Sequence, residues 1–99
     1  MKILNKIKEM MTGEKVDYQE KINQGAIVLD VRSVEEFKGG HAPNSTNIPL
    51  HLLPMKVNNF KGKEVIVVCL SGGRAGQAKN LLQQNGITAH NAGPWQNVL

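Results

Sequence analysis

Cysteine is almost absent from this sequence, because Cys69 is the only one in 99 residues. A lone cysteine cannot form a disulfide within the chain. It also excludes a Cys-x-x-Cys redox pair and a zinc site built from several cysteines. The three histidines, His41, His51 and His90, do not stand at the spacing of metal ligands. We therefore predict no metal site.

Aromatic residues are also scarce, with one Trp, one Tyr and two Phe. The formal net charge is +4, but the lysines are scattered along the chain. Nucleic-acid-binding surfaces usually cluster their cations on one face, so we expect no nucleic-acid partner. The excess of positive charge instead favours attraction of small anionic substrates.

Long apolar runs are missing as well. The longest, 65–70, is far too short to cross a bilayer. The first residues, MKILNKIKEMM, place apolar side chains on one helical face but lack the apolar core and cleavage site of a signal peptide. We predict a helical extension over residues 1–15 that packs on its own domain, with a membrane-surface helix as the alternative. We expect no membrane partner and a cytoplasmic location, or a periplasmic one if a leader has been removed.

Buried strands alternate with helices along the rest of the chain. Strands are predicted at 26–31, 46–48, 64–69 and 87–91, and helical segments at 16–25, 33–40, 51–60, 74–86 and 93–99. Pro54 is expected to interrupt the third helical segment. In the fourth, Ala75, Ala78, Leu81 and Leu82 are expected to face inward. This alternation predicts one α/β domain, residues 1–99, with a parallel sheet and helices on both faces.

Capping residues mark the first two of these helical segments. Asp17 and Glu20 stand at capping-box spacing, and so do Ser33 and Glu36. Gly25 and the pair Gly39–Gly40 are placed to end the two helices.

The stretch CLSGGR, 69–74, joins the apolar strand 64–69 to the helix that follows. Cys69 would lie at the carboxyl end of a central parallel strand, where α/β proteins bind their ligands. Glycines let successive backbone N–H groups converge on one centre, and the helix N-terminus and Arg74 add positive charge. This setting favours a thiolate, which is the nucleophilic form of cysteine. The alternative is an inert, buried structural thiol.

A thiolate in such a nest could attack phosphorus or the outer sulfur of a donor such as thiosulfate. Cysteine-dependent phosphatases have five residues between the cysteine and the arginine. This chain has Leu70, Ser71, Gly72 and Gly73. One residue fewer removes up to about 3.5 Å of backbone contour. The resulting ring of backbone amides is tighter, and its size suits a single sulfur atom better than a phosphate.

CLSGGR resembles the Cys-x-x-Gly-x-Arg loop of the rhodanese family. LDVRSVEEFKGGHAPNSTNIPL, 29–50, is similar to that family's Asp-Val-Arg, Glu-Phe, Gly-His and Asn-Ile-Pro signatures, and NAGPWQNV looks like its closing segment. The resemblance implies a three-layer α/β domain with a central, mainly parallel five-stranded sheet and helices on both faces. It also implies sulfur transfer through a persulfide on Cys69. Backbone amides of Leu70, Ser71, Gly72, Gly73 and Arg74 would hold the outer sulfur.

Further expectations follow from the same resemblance. The family needs no metal or organic cofactor. Its acceptor is cyanide in assays, or a thiol or another nucleophile, and an open single domain suits a protein partner. Some members that use thiosulfate carry a basic residue where this chain has Leu70, which leaves Arg74 as the main fixed charge. The alternatives are a non-catalytic binding module, a persulfide carrier to a protein partner, and phosphatase or arsenate-reductase activity.

Residues outside the loop are interpreted mainly as structural. Asp30 and Arg32 are expected to pair or to cap nearby backbone, and His41 to be a hydrogen-bonded turn residue. Trp95 either packs in the core or lines the pocket. Ser71 either donates to the persulfide or simply occupies the turn.

Overall fold

The computed structural model describes residues 16–99. Its sheet has four parallel strands in the order β2-β1-β3-β4. These are β1 (Ile27–Asp30), β2 (Thr46–Asn47), β3 (Glu64–Cys69) and β4 (Thr88–Pro94). Each overlaps a predicted strand, but β4 continues to Pro94, into the segment 93–99 that is predicted to be helical. The fifth strand implied by the family resemblance is not among residues 16–99, and the predicted helix over 1–15 lies outside the described residues.

Helical elements cover both faces of this sheet, as predicted. They are α1 (Tyr18–Asn23), α2 (Val34–Lys38), α3 (Gly73–Gln84) and two 3₁₀ helices, Leu50–Phe60 and Trp95–Val98. Leu53, Val57 and Leu82 bring the long 3₁₀ helix and α3 into one core cluster on the first face. On the other face, Ile22 of α1 and Val98 pack in a second cluster. The three layers follow from strands that are apolar on both sides.

Local capping mostly follows the predicted chemistry. The Ser33 hydroxyl accepts from Glu36 N–H, and the Glu36 carboxylate accepts from Ser33 N–H, so the capping box of α2 is complete. At α1, Asp17 accepts from Glu20 N–H, but Glu20 does not return the hydrogen bond. The box predicted there is therefore only half formed.

One detail of the predicted helices differs in the structure. Pro54 does not interrupt its segment, because the 3₁₀ helix runs through it with Leu53, Val57 and Phe60 buried. In α3, Ala75, Ala78 and Leu82 are buried in the core as predicted, and Leu81 packs against the same cluster while partly exposed.

A bulge interrupts the pairing of β3 with β4 near the carboxyl edge of the sheet. Val67 is opposite Asn91 and Val68 is opposite Gly93, so Ala92 is an extra residue on β4. Gly93 has φ +79°, a conformation that side-chain-bearing residues rarely adopt. A bulge bends its strand and redirects the side chains beside it, and here it lies next to Asn91.

Candidate active site

Cys69 ends β3 and is 1% exposed, at the carboxyl edge of the sheet. Its Sγ accepts a hydrogen bond from the Gly72 N–H, with a nitrogen-to-sulfur distance of 2.8 Å. The chain then enters α3 at Gly73, so the sulfur lies near the N-terminus of a helix. A backbone donor and a helix N-terminus both favour negative charge at this sulfur.

Four residues form the turn between Cys69 and Arg74. Gly72 has φ +112° and ψ −14°, a left-handed conformation that favours glycine. Leu70 is 57% exposed and Ser71 is also exposed, while Gly73 begins the helix. Within residues 16–99, the Gly72 N–H is the one backbone donor hydrogen-bonded to Cys69 Sγ, and the Ser71 hydroxyl makes no bond to it.

Arg74 directs its guanidinium group at a carboxylate. Its Nη1 donates to Glu36 Oε1 at 2.7 Å and its Nη2 to Oε2 at 3.0 Å, with both side chains about one-third exposed. The Arg74 hydrogen bonds, followed by that of the Ser33 backbone, lower the pKa of Glu36 to about 2. Glu36 in turn raises the pKa of Arg74, and Cys69 makes a smaller contribution. Arg74 is therefore held by Glu36, and it makes no hydrogen bond to Cys69 Sγ.

Asp30 and Arg32 form the expected buried pair behind the site. Asp30 is 0% exposed and Arg32 is 3% exposed. Arg32 Nη2 donates to Asp30 Oδ2 at 2.8 Å and to the Gly40 carbonyl at 2.7 Å. The Arg32 guanidinium also lies 5.2 Å from the centroid of the Trp95 ring. These partners satisfy a charge pair that would otherwise be costly to bury.

Trp95 and His41 occupy structural positions. Trp95 packs against the second core cluster. It does not line either of the two open grooves that border the cysteine loop. His41 is exposed, stacks on Phe37 at 3.7 Å between ring centroids, and has Nδ1 2.7 Å from the Phe37 carbonyl oxygen. Both positions agree with the structural interpretations drawn from the sequence.

Two open grooves border the loop. One, of about 820 Å³, is lined in part by Tyr18, Ser71 and Gly72. The other, of about 660 Å³, is lined by Arg74 and by apolar side chains that include Val34 and Leu50. Within residues 16–99 there is no group of three or more His, Cys, Asp or Glu side chains that could hold a metal ion. No helix in that range is long and apolar enough to cross a membrane.

Two residues of this site carry roles that sequence reasoning did not assign. Glu36 was interpreted only as a helix cap, but it also holds Arg74. Asn91 ends a predicted strand and begins the NAGPWQNV segment, and neither assignment predicts that its amide donates to the Gly72 carbonyl. Their partners are 38 and 19 residues away along the chain, so no local spacing indicates either contact.

Cys69 thus lies in a short glycine-rich loop, between the carboxyl end of a central parallel strand and the N-terminus of a helix. This arrangement places the chain in the class of α/β domains with a cysteine loop at the edge of the sheet. The sequence model of the family described as "Rhodanese-like domain" matches residues 14–95 of this chain. The chain therefore belongs to the rhodanese-like family.

Individual relatives agree with this assignment. The chain is 31% identical over 64 residues to a protein named "Sulfurtransferase" from Allochromatium vinosum, covering 64% of this chain and 60% of the relative. It is 32% identical over 74 residues to "Thiosulfate sulfurtransferase PspE" from Escherichia coli, covering 71% of each. The solved structure of SSP1007 from Staphylococcus saprophyticus superposes with a TM-score of 0.72 at 30% identity, covering 84% of this chain and 87% of that one. The chain spans 60% of the Allochromatium relative and only 51% of another curated relative, from Bacillus subtilis.

Proposed function

We propose that this protein is a sulfurtransferase that accepts sulfane sulfur on Cys69 as a persulfide and passes it to a thiophilic acceptor. Sulfurtransferases are found among its relatives. The observation that carries the proposal is the Gly72 N–H donating to Cys69 Sγ at 2.8 Å, at the N-terminus of α3. In this proposal the whole chain acts as a single rhodanese-like domain without a metal or organic cofactor.

Two nucleophilic displacements complete the cycle. The Cys69 thiolate attacks the outer sulfur of thiosulfate, the sulfur–sulfur bond of the donor breaks, and sulfite leaves with the bonding electron pair. Cys69 then carries a persulfide anion. Cyanide or an acceptor thiolate attacks the outer sulfur of this persulfide, and Cys69 leaves as the thiolate, so no external oxidant or reductant is consumed.

The loop supplies the electrostatic part of this chemistry. The persulfide places its negative charge one bond further out than the thiolate, at the centre of the turn formed by Leu70, Ser71, Gly72 and Gly73. Backbone amides and the N-terminus of α3 stabilise that charge, and Arg74, at the first turn of α3, adds a fixed positive charge. Donors that leave a good anion, as thiosulfate leaves sulfite, suit this arrangement. The name of the Escherichia coli relative supports thiosulfate as a donor.

Intact-protein mass spectrometry after brief incubation with thiosulfate tests the proposal. We expect a mass gain of one sulfur atom, reversed by cyanide or dithiothreitol and absent in Cys69→Ser. Ser45→Ala is the control and should load sulfur normally, because the Ser45 hydroxyl donates to the Ala42 carbonyl and contacts no residue of the cysteine loop.

A gain that persists in Cys69→Ser would contradict the mechanism. If thiosulfate gives no gain, mercaptopyruvate and a persulfidated desulfurase are tried as donors. No gain with any of them would indicate a binding module without transfer activity. Hydrolysis of an aryl phosphate by the purified protein would instead favour phosphatase chemistry.

A further inference from the structure

Both polar atoms of the Asn91 side chain are hydrogen-bonded at the carboxyl edge of the sheet. Nδ2 donates to the Gly72 carbonyl at 3.0 Å, and Oδ1 accepts from the Gly93 N–H at 2.9 Å. A carbonyl only accepts and a backbone N–H only donates, so these partners fix the orientation of the amide. Asn91 therefore links strand β4 directly to the loop that follows Cys69.

The loop is seated closely on this amide. A Cβ built at Gly76 would lie 3.4 Å from Asn91 Nδ2, and one built at Gly72 would lie 3.9 Å from both amide atoms. The two glycines thus leave the space that the amide fills. The bulge at Ala92 lets Asn91 and Gly93 form their hydrogen bond within the same strand, which holds the side chain against the loop.

Gly72 connects this amide with the sulfur. Its carbonyl accepts from Asn91 Nδ2 and from the Gly76 N–H at 2.9 Å, while its own N–H donates to Cys69 Sγ. Glycine adopts positive and negative φ with similar ease, so its conformation must be selected by its neighbours. The bond from Asn91 holds the Gly72 carbonyl at the φ of +112°, the conformation in which the Gly72 N–H points at the sulfur.

We propose that Asn91 is a positioning residue that holds the Gly72 N–H on Cys69 Sγ and so stabilises the anionic sulfur. This role rests on the proposed function of Cys69 as the sulfur-accepting nucleophile. Asn91 makes no hydrogen bond to the sulfur itself and acts only through Gly72.

The pH profile of Cys69 alkylation by iodoacetamide tests this role without any sulfur donor. The thiolate is the reactive form, and Cys69 is the only thiol in the chain. In Asn91→Leu, which nearly preserves volume, and in Asn91→Ala, we expect the midpoint of the profile to move upward by about one pH unit. That is the effect of weakening one hydrogen bond to a charged acceptor.

Asn97→Ala is the matched control. Asn97 Nδ2 donates to the Ala92 carbonyl at 2.7 Å, so this variant also removes an amide-to-backbone hydrogen bond to β4. The bond it removes does not involve the loop. We expect Asn97→Ala to lower the melting temperature while leaving the midpoint of alkylation unchanged.

An unchanged midpoint in folded Asn91 variants, with only a lower melting temperature, would overturn the positioning role and leave Asn91 as a structural residue. Sulfur loading of the wild-type protein is measured separately by mass spectrometry. If the wild type does not load but the Asn91 variants shift the midpoint, the proposed function is contradicted and the positioning role is supported. If the wild type loads but the variants keep its midpoint, the proposed function is supported and the positioning role is contradicted.

If neither Asn91 variant folds, the wild-type protein provides a second measurement. In ¹⁵N-labelled protein, the pH is raised through the alkylation midpoint. The resonances of the Gly72 amide and of the Asn91 side-chain amide should both shift over that pH range. A Gly72 amide that does not respond to the titration of Cys69 would overturn the proposal.

Discussion

Glu36 Oε1 accepts two hydrogen bonds, one from the Ser33 N–H at 3.0 Å and one from Arg74 Nη1 at 2.7 Å. A single carboxylate oxygen therefore caps α2 and holds the arginine that follows the cysteine loop. Because the cap fixes the carboxylate, it also fixes the guanidinium group at the first turn of α3. The position of the positive charge beside Cys69 thus depends on a helix elsewhere in the chain.

The first prediction concerns the pH dependence of stability conferred by Glu36. The pKa of this carboxyl is about 2 in the folded protein, below its ordinary value of 4.5. The ionised group therefore stabilises the fold above about pH 4.5, and this contribution is lost as the pH falls towards 2. In urea unfolding at a series of pH values, the midpoint should fall less with acidification in Glu36→Gln than in the wild type. Parallel curves for the two proteins would contradict the prediction.

A second prediction separates the charge of Arg74 from its shape. Lysine keeps the charge but cannot make the two parallel hydrogen bonds that Arg74 makes to Glu36. We expect Arg74→Lys and Arg74→Ala both to lower kcat/KM for sulfur transfer by about tenfold, equivalent to about 1.4 kcal/mol of transition-state stabilisation. Arg74→Ala should also lower stability modestly at neutral pH, because Glu36 then loses the partner that lowers its pKa most.

Steady-state kinetics with thiosulfate and cyanide would measure the effect in both Arg74 variants. If Arg74→Lys retained full activity while Arg74→Ala lost it, charge alone would be sufficient. The fixed geometry set by Glu36 would then have no catalytic consequence.

The difference between what could and could not be predicted from the sequence has a physical basis. The strand ending at Cys69 and the cap at Ser33 depend on residues close together in the chain, so local pattern predicts them. The contacts of Glu36 with Arg74 and of Asn91 with Gly72 depend on the order of strands and on a bulge. Apolar periodicity indicates neither the strand order nor the bulge. The sequence also does not show that the charge of Arg74 is paired with a carboxylate.

A third prediction compares the two adjacent glycines of the loop. Gly72 has φ +112°, so Gly72→Ala should destabilise the protein by roughly 1–2 kcal/mol, the cost of left-handed backbone for an L-residue. Gly73 has no positive φ and open space around the position of a Cβ. Gly73→Ala should therefore raise stability by up to about 1 kcal/mol, because it restricts the unfolded chain.

Urea unfolding of the two alanine variants measures this difference. Equal stability changes would mean that the φ of Gly72 is not strained for alanine, and the argument that this turn requires glycine would fail.

The last prediction concerns a cluster at the other end of β3 from Cys69. Glu64 Oε2 accepts from Lys21 Nζ at 2.9 Å and lies 2.6 Å from His90 Nε2, which ties α1 to strands β3 and β4. The hydrogen bond from Lys21, followed by that from His90, lowers the pKa of Glu64. The ionised carboxylate therefore stabilises the fold above the ordinary glutamate pKa, and the effect is lost as the pH falls below it.

Glu64→Gln should accordingly lower stability at neutral pH and reduce its dependence on pH in the acidic range. Sulfur loading of Cys69 should be unchanged, because Glu64 begins the strand that Cys69 ends and contacts no residue of the loop. Urea unfolding and mass spectrometry on the same preparation would measure both quantities. Impaired loading in a folded Glu64→Gln protein would mean that the two ends of β3 are coupled, so that the site depends on how α1 is held against the sheet.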